Sequence, residues 1–153
     1  MDLVAELIAR QEIVDALHRF ALGRDIRDRE MLMSAFTPTA EFDFRPAAER
    51  CGLTGMPLMT GPEMIADIVL DPRVALDTTH SVSNCLVTLG GDGASLTALV
   101  EAQHLPTGNH SRHALLKNLY TVELLPQGRR WLMHRVRIEN IWFTGDPRVI
   151  VGG

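Results

Sequence analysis

A carboxylate at Asp25, in Arg24-Asp25-Ile26, and an imidazole at His80, in Asp77-Thr78-Thr79-His80-Ser81, are the two groups in this chain with the plainest joint use. A carboxylate that accepts the Nδ1 proton of an imidazole fixes its tautomer, leaves Nε2 free as a base, and stabilises the imidazolium formed when that base takes a proton. Such a pair suits removal of a proton α to a carbonyl or β to a leaving group, followed by elimination or isomerisation. Neither a metal nor an organic cofactor is needed for it. His104, Asn118 or Tyr120 could then hydrogen-bond a developing oxyanion or protonate a departing hydroxyl. Plainer uses stand beside these. Asp25 could cap a helix or bind a local amide, His80 could be a satisfied histidine at a strand's start, and Tyr120 a core aromatic whose hydroxyl reaches the surface. Arg24 reads either as an ion-pair partner of Asp25 or as a binder of an anionic substrate group.

The elements that must position these groups follow from periodicity. Asp2 to about Leu22 reads as a helix, with Val4, Leu7, Ile8, Val14, Leu17 and Ala21 at spacings of three and four and Gly23 as its end. A second short helix runs through Phe36, with Asp28 as N-cap, and Thr37-Pro38-Thr39 ends it because proline removes a donor. A strand follows at Ala40 to Phe44, then a loop with Pro46, Gly52, Gly55 and Pro57 that could act as a lid. Gly61 to Leu70 is a helix stopped by Asp71-Pro72. Downstream come four strands, roughly Thr78–Leu89, Ser95–His104, Arg112–Leu125 and Trp131–Phe143, joined by turns short enough to force antiparallel pairing. Helices first and a long-stranded antiparallel sheet afterwards make an α+β plan in which a curved sheet wraps over the helices.

Alternation along the strands sorts the candidates. Around His80 both faces are mixed, Val82, Asn84 and Leu86 on one side and Ser81, Ser83, Cys85, Val87 and Leu89 on the other, which suits the wall of a ligand cavity. In the third long strand the apolar set Ala114, Leu116, Asn118, Tyr120, Val122 and Leu124 carries Asn118 and Tyr120 inward. In the last, Leu132, His134, Val136, Ile138, Asn140 and Trp142 form the inward set and bring His134 and Asn140 with them. Buried groups of this kind need partners, so several converging on one place imply a wet or ligand-filled interior. Small residues, Ala98, Val100 and Ala102, precede His104 on its face and leave room beside the imidazole.

Composition narrows the function classes. With 153 residues, 46% hydrophobic and 22% charged, the chain reads as one globular domain, 1–153, with a core from about 5 to 146. A net charge of −4 and no basic stripe argue against nucleic-acid binding. No apolar run is long enough for a membrane span, and the start lacks the features of a secretion signal. Cys51 and Cys85 fit no disulfide framework, so free thiols in a cytoplasmic setting are expected. His104, His110 and His113 fall around a hairpin, where exposed turn histidines are a better account than a metal cluster.

Helix, then Arg19-Phe20-Ala21-Leu22-Gly23-Arg24-Asp25, then Phe36-Thr37-Pro38-Thr39-Ala40 into Glu41-Phe42-Asp43-Phe44, then Thr78-Thr79-His80-Ser81-Val82-Ser83-Asn84, and late Gly128-Arg129-Arg130-Trp131 before a final strand: this order resembles the SnoaL-like branch of the nuclear-transport-factor-2-like superfamily, over about Ala5 to Asp146. The resemblance implies a cone, a strongly bent and mainly antiparallel sheet closed by helices around one deep pocket, in a cystatin-like α+β roll. Members include scytalone dehydratase, hexachlorocyclohexane dehydrochlorinase, ketosteroid isomerase, polyketide cyclases and small subunits of ring-hydroxylating dioxygenases. It implies that Asp25 and His80 are the shared aspartate–histidine pair, His104 the dehydratase's second histidine, and Asn118 its substrate-binding asparagine. The dehydratase's two pocket tyrosines fall on Arg24 and Phe44 and its pocket serine on Leu116, so the base is supported and scytalone as substrate is not.

Together these point to a cofactor-independent lyase or isomerase acting on a small, apolar, cyclic or polyketide-like molecule. Asp25, His80 and His104 would be catalytic, and Asn118, Tyr120, Arg24, Phe44, His134 and Asn140 would contact substrate. The sheet's outer face is expected to form a homodimer or homotrimer. Two rivals use the same cone without chemistry: a small-molecule binding protein, and a structural subunit like those of the dioxygenases.

Overall fold

The computed structural model describes residues 1–153. Helix α1 (Leu3–Asp25) is capped by Asp2, whose carboxylate accepts the Ala5 N–H, and is followed by the short α2 (Arg29–Met33), capped by Asp28 as expected. Strand β1 (Phe36–Asp43), α3 (Arg45–Arg50), β2 (Met59–Thr60) and α4 (Pro62–Val69) lead into four long strands. These are β3 (Leu76–Gly90), β4 (Gly93–Pro106), β5 (Ala114–Gln127) and β6 (Arg130–Gly145), with a 3-10 turn over Pro147–Val151 at the end. One curved, unclosed sheet has the order β2-β1-β6-β5-β4-β3, antiparallel throughout except for the parallel β1/β6 pair. The α+β plan, helices against the concave face of a mainly antiparallel sheet, is the one the strand and helix periods imply.

Several local expectations give way to tertiary contacts. Gly23 does not end α1; a Cβ there would stand 2.7 Å from the Leu32 backbone nitrogen, so the glycine exists to let α2 pack against α1. The helix therefore runs two residues further and places Arg24 and Asp25 on its last turn. The second helix stops at Met33 rather than reaching Phe36. Pro38 lies inside β1, within the stretch between Phe36 and Glu41 where the register with β6 shifts, so its missing N–H breaks no regular ladder. The supposed loop after Phe44 begins with α3, whose Pro46 sits in the first turn, where a proline is tolerated.

The mixed faces of β3 have a backbone cause, although His80 and Leu76 in its first half do line a cavity. Asn84 adopts φ 53°, and the register with β4 shifts between Ser83 and Leu86. This bulge exchanges the two faces. Before it, Leu76, Thr78, His80 and Val82 turn inward; after it, Cys85, Val87 and Leu89 do, and Leu86 is 72% exposed. In β5 the alternation holds without interruption, and every inward residue from Ala114 to Leu124 is buried.

The core joins Ile13, Ala16, Leu17 and Phe20 of α1 to Val100, Tyr120, Val122 and Ile138 of the sheet. Each fully buried aliphatic side chain contributes about 1.5–3 kcal/mol. Near its start α1 rises clear of the sheet, and Val4, Leu7 and Ile8, expected on its packed side, are exposed.

Candidate functional site

The last turn of α1 meets the first half of β3. Asp25 Oδ1 accepts the ring Nδ1–H of His80 at 2.7 Å and the Thr78 hydroxyl at 3.0 Å, while Oδ2 accepts the His80 backbone N–H at 2.6 Å. Thr78 and His80 are two apart in a strand and so share a face, which lets one carboxylate take all three donors. Burial alone would raise the Asp25 pKa, but the bonds from the His80 ring and backbone and from Thr78 outweigh it and hold the carboxyl below its ordinary 3.8. With Nδ1–H bound to a carboxylate, His80 is fixed with Nε2 as its free nitrogen. Thr78 went unnoticed in the sequence; its place two residues before His80 is the signal that marks it.

Beside this clamp is a cavity of about 210 Å³, with fourteen of its nineteen lining residues hydrophobic. His80, His104, Asn118, Tyr120, Arg24 and Phe44 all line it. Ala102 stands directly opposite His80 in β4 and two residues from His104, and its small side chain opens the space next to both rings, which are 5.8 Å apart edge to face. Further wall comes from residues not expected at the site: Met56 and Met59, Ile68 and Val69 of α4, and Ile150 and Val151 of the final turn, beyond the expected end of the core.

His104 is buried, and its Nδ1 lies 3.0 Å from the Ala114 carbonyl. A carbonyl only accepts, so Nδ1 carries the proton and Nε2 of the neutral ring is an acceptor. Burial, and then the neighbouring His80, push its pKa from 6.5 down to about 3, against the pull of the Ala114 bond. His104 is thus suited to receive a hydrogen bond from a hydroxyl rather than to protonate one. Burial likewise pushes the Tyr120 phenol upward, keeping it a neutral donor. Asn118 Oδ1 accepts from Asn140 Nδ2 at 3.0 Å, leaving the Asn118 amide nitrogen to offer the cavity.

Arg24 is 8% exposed, its pKa lowered from 12.5 to about 10 by burial and then by the charge of Arg27. Its Nη1 has no hydrogen-bond partner, and it forms no ion pair with Asp25.

Two of the expected substrate contacts, His134 and Asn140, lie outside the cavity. Register shifts in β6 leave His134 between Met133 and Arg135, opposite the step from Leu124 to Glu123, and Ile141 between Asn140 and Trp142. At the first bulge Met133 takes the core position and His134 pairs instead with the Thr37 hydroxyl at 2.9 Å. At the second, Asn140 turns to hold Asn118, and Trp142, expected inward, is half exposed beside Lys117. His134 and Asn140 therefore do not line the cavity; Asn140 reaches it only through its bond to Asn118. Leu116 is buried in a separate small cluster and does not line the cavity. His110 bonds Asp77 on the surface, far in role from His104.

A curved α+β cone holding an acid–imidazole pair against an apolar cavity defines a class of small-molecule-handling domains. The chain belongs to the SnoaL-like domain family, whose model matches residues 5–137. A candidate scytalone dehydratase from Novosphingobium aromaticivorans has the same fold, with a TM-score of 0.78 and 16% identity over 94% of this chain and 91% of that one. A type 2 hexachlorocyclohexane dehydrochlorinase is similar at TM-score 0.79 and 20% identity, over 94% and 93% of the two chains. A protein of unknown function with a cystatin-like fold from Nostoc punctiforme reaches TM-score 0.62 and 14% identity, over 85% and 89%. No curated protein matches the chain. No helix is long and apolar enough to cross a membrane.

Proposed function

We propose that this protein is a cofactor-independent lyase or isomerase of the dehydratase type, in which His80 abstracts a proton from carbon and Asp25 orients and stabilises it. The observation that carries this reading is the 2.7 Å contact between Asp25 Oδ1 and His80 Nδ1 beside an apolar cavity. In the elimination, Nε2 takes a proton from the carbon α to a carbonyl and that C–H pair forms the new double bond. The bond to a β-hydroxyl breaks, and the imidazolium returns its proton to the departing oxygen, so water leaves and the base is restored. Without a β-leaving group the same base returns the proton to a different carbon, which is isomerisation. Asn118 and Tyr120, a free amide donor and a neutral phenol, suit the enolate oxygen, and the neutral His104 suits a substrate hydroxyl.

The substrate is a small molecule with a largely apolar, cyclic or polyketide-like body, and the work is cytoplasmic, by a homodimer or homotrimer. The family and the dehydratase and dehydrochlorinase relatives of the same fold support the reaction class. The test is exchange of α-protons with deuterated solvent, and loss of water, across a panel of cyclic ketones and β-hydroxy ketones. His80→Ala should lower the rate about 10²–10⁴-fold with the fold intact. Exchange that survives His80→Ala undiminished would remove the assignment and leave a binding domain.

A further inference from the structure

We infer that Arg24 is the anchor for a carboxylate on the ligand, so that the proposed substrate is an apolar-bodied organic acid; this rests on proton abstraction at His80 only for its reaction, not for its binding. The guanidinium lines the cavity, is more than nine-tenths buried, and has an Nη1 with no partner. A buried cation is costly unless something pairs with it. Every other charged group at the cavity is already engaged. Asp25 is bound by His80 and Thr78, and Asp71, in the lining, is held by Arg73 through bonds of 2.8–3.2 Å. His104 and Tyr120 are kept uncharged by their burial. Arg27, outside the lining, repels the Arg24 charge and donates from Nη1 to the Leu76 carbonyl.

What is left is one planar fork of donors on a buried cation that feels the Asp25 carboxylate only at a distance and makes no ion pair, in a largely apolar space. That matches the geometry and charge of a carboxylate, which takes two parallel N–H bonds from one guanidinium. A phosphoryl group does not fit as well. It carries nearly two charges and three strong acceptors, and Arg24 is the only cationic side chain in the lining, with the Asp25 carboxylate close by.

The test uses the unmodified protein with benzoate and its near-isostere benzamide. Neither has a proton α to its carbonyl, so neither can turn over and binding is read apart from catalysis. By calorimetry at neutral pH, benzoate should bind about 10- to 100-fold more tightly than benzamide, as expected for hydrogen bonds to a charged partner. In Arg24→Met that preference should vanish, and in Arg24→Lys it should fall but persist, charge being kept and the fork lost. Benzoate bound no more tightly than benzamide, whether both bind or neither does, overturns the assignment. So does a preference unchanged in Arg24→Met, or phenylphosphonate bound more tightly than benzoate. The acid-to-amide comparison in the unmodified protein decides the matter even if Arg24→Met fails to fold. Solvent-deuterium exchange on the ketone panel tests the base separately, so each idea can fail alone.

Discussion

Arg24 and Asp25 are adjacent on the last turn of α1, yet the protein treats their charges in opposite ways. The carboxylate accepts three hydrogen bonds from β3, whereas the guanidinium keeps an unpartnered nitrogen against the cavity. A closed set of bonds fixes geometry, which is what a base needs before any ligand arrives. An open one leaves free energy to be recovered when a ligand arrives. The comparison separates two tasks at the end of one helix: holding the imidazole, and receiving the substrate.

The largest break in that contrast comes on the closed side. Asp25→Ala strands the His80 N–H groups and the Thr78 hydroxyl, and should cost roughly 2–5 kcal/mol in urea unfolding as well as most proton-abstraction activity. Asp25→Asn should lose the activity with a smaller loss of stability, because the amide still accepts a bond. If the two variants unfold alike and both remain active, the three bonds are ornamental.

Acid sharpens the same contrast. His104 is held neutral, with its pKa depressed to about 3 from 6.5, so as pH falls through this window the unfolded chain takes up a proton that the native chain refuses. Stability should therefore fall between about pH 6.5 and 3, by up to about 1.4 kcal/mol per pH unit from this group. The Asp25 pKa is also depressed, but its contribution is intact above the ordinary 3.8 and is lost only as pH drops below that through the native value. His104→Gln should flatten the loss between pH 6.5 and 4.5 in denaturation curves. A slope unchanged in that variant would show that the ring is not the source.

Gly23→Ala acts on both neighbours together. The added methyl would press on the Leu32 backbone at 2.7 Å and lever the end of α1 away from β3. A cost of about 1–3 kcal/mol and a weaker Asp25–His80 coupling, read from the pH dependence of the His80 ring resonances, are expected. The smallest effect belongs to the open side. Arg24→Met removes a buried, unpartnered polar group and should leave thermal stability unchanged or raised by about 1–3 kcal/mol, the reverse of what Asp25→Ala does. A large destabilisation would mean that Arg24 supports the fold rather than waiting for a ligand.

Much of this was legible along the chain. The order of helices and strands, the Asp2 and Asp28 caps, and the unbroken inward row of β5 with Asn118 and Tyr120 are local or strictly periodic, and periodicity survives folding wherever the backbone stays regular. The composition of Thr78 to His80 suggested a strand with a titratable end, and the family resemblance joined it to Asp25. What only tertiary structure decided lies where parity changes or distant segments meet. The bulges at Asn84, His134 and Ile141 each shift a strand by one residue, so that Leu86 and Trp142 face outward and His134 leaves the cavity, and no count by two foresees such a slip. The wall formed by Met56, α4 and Ile150, and the isolation of Arg24 within it, depend on segments far apart in sequence packing around one space. Sequence determines which groups are available, and burial among distant neighbours determines which of them are left without partners.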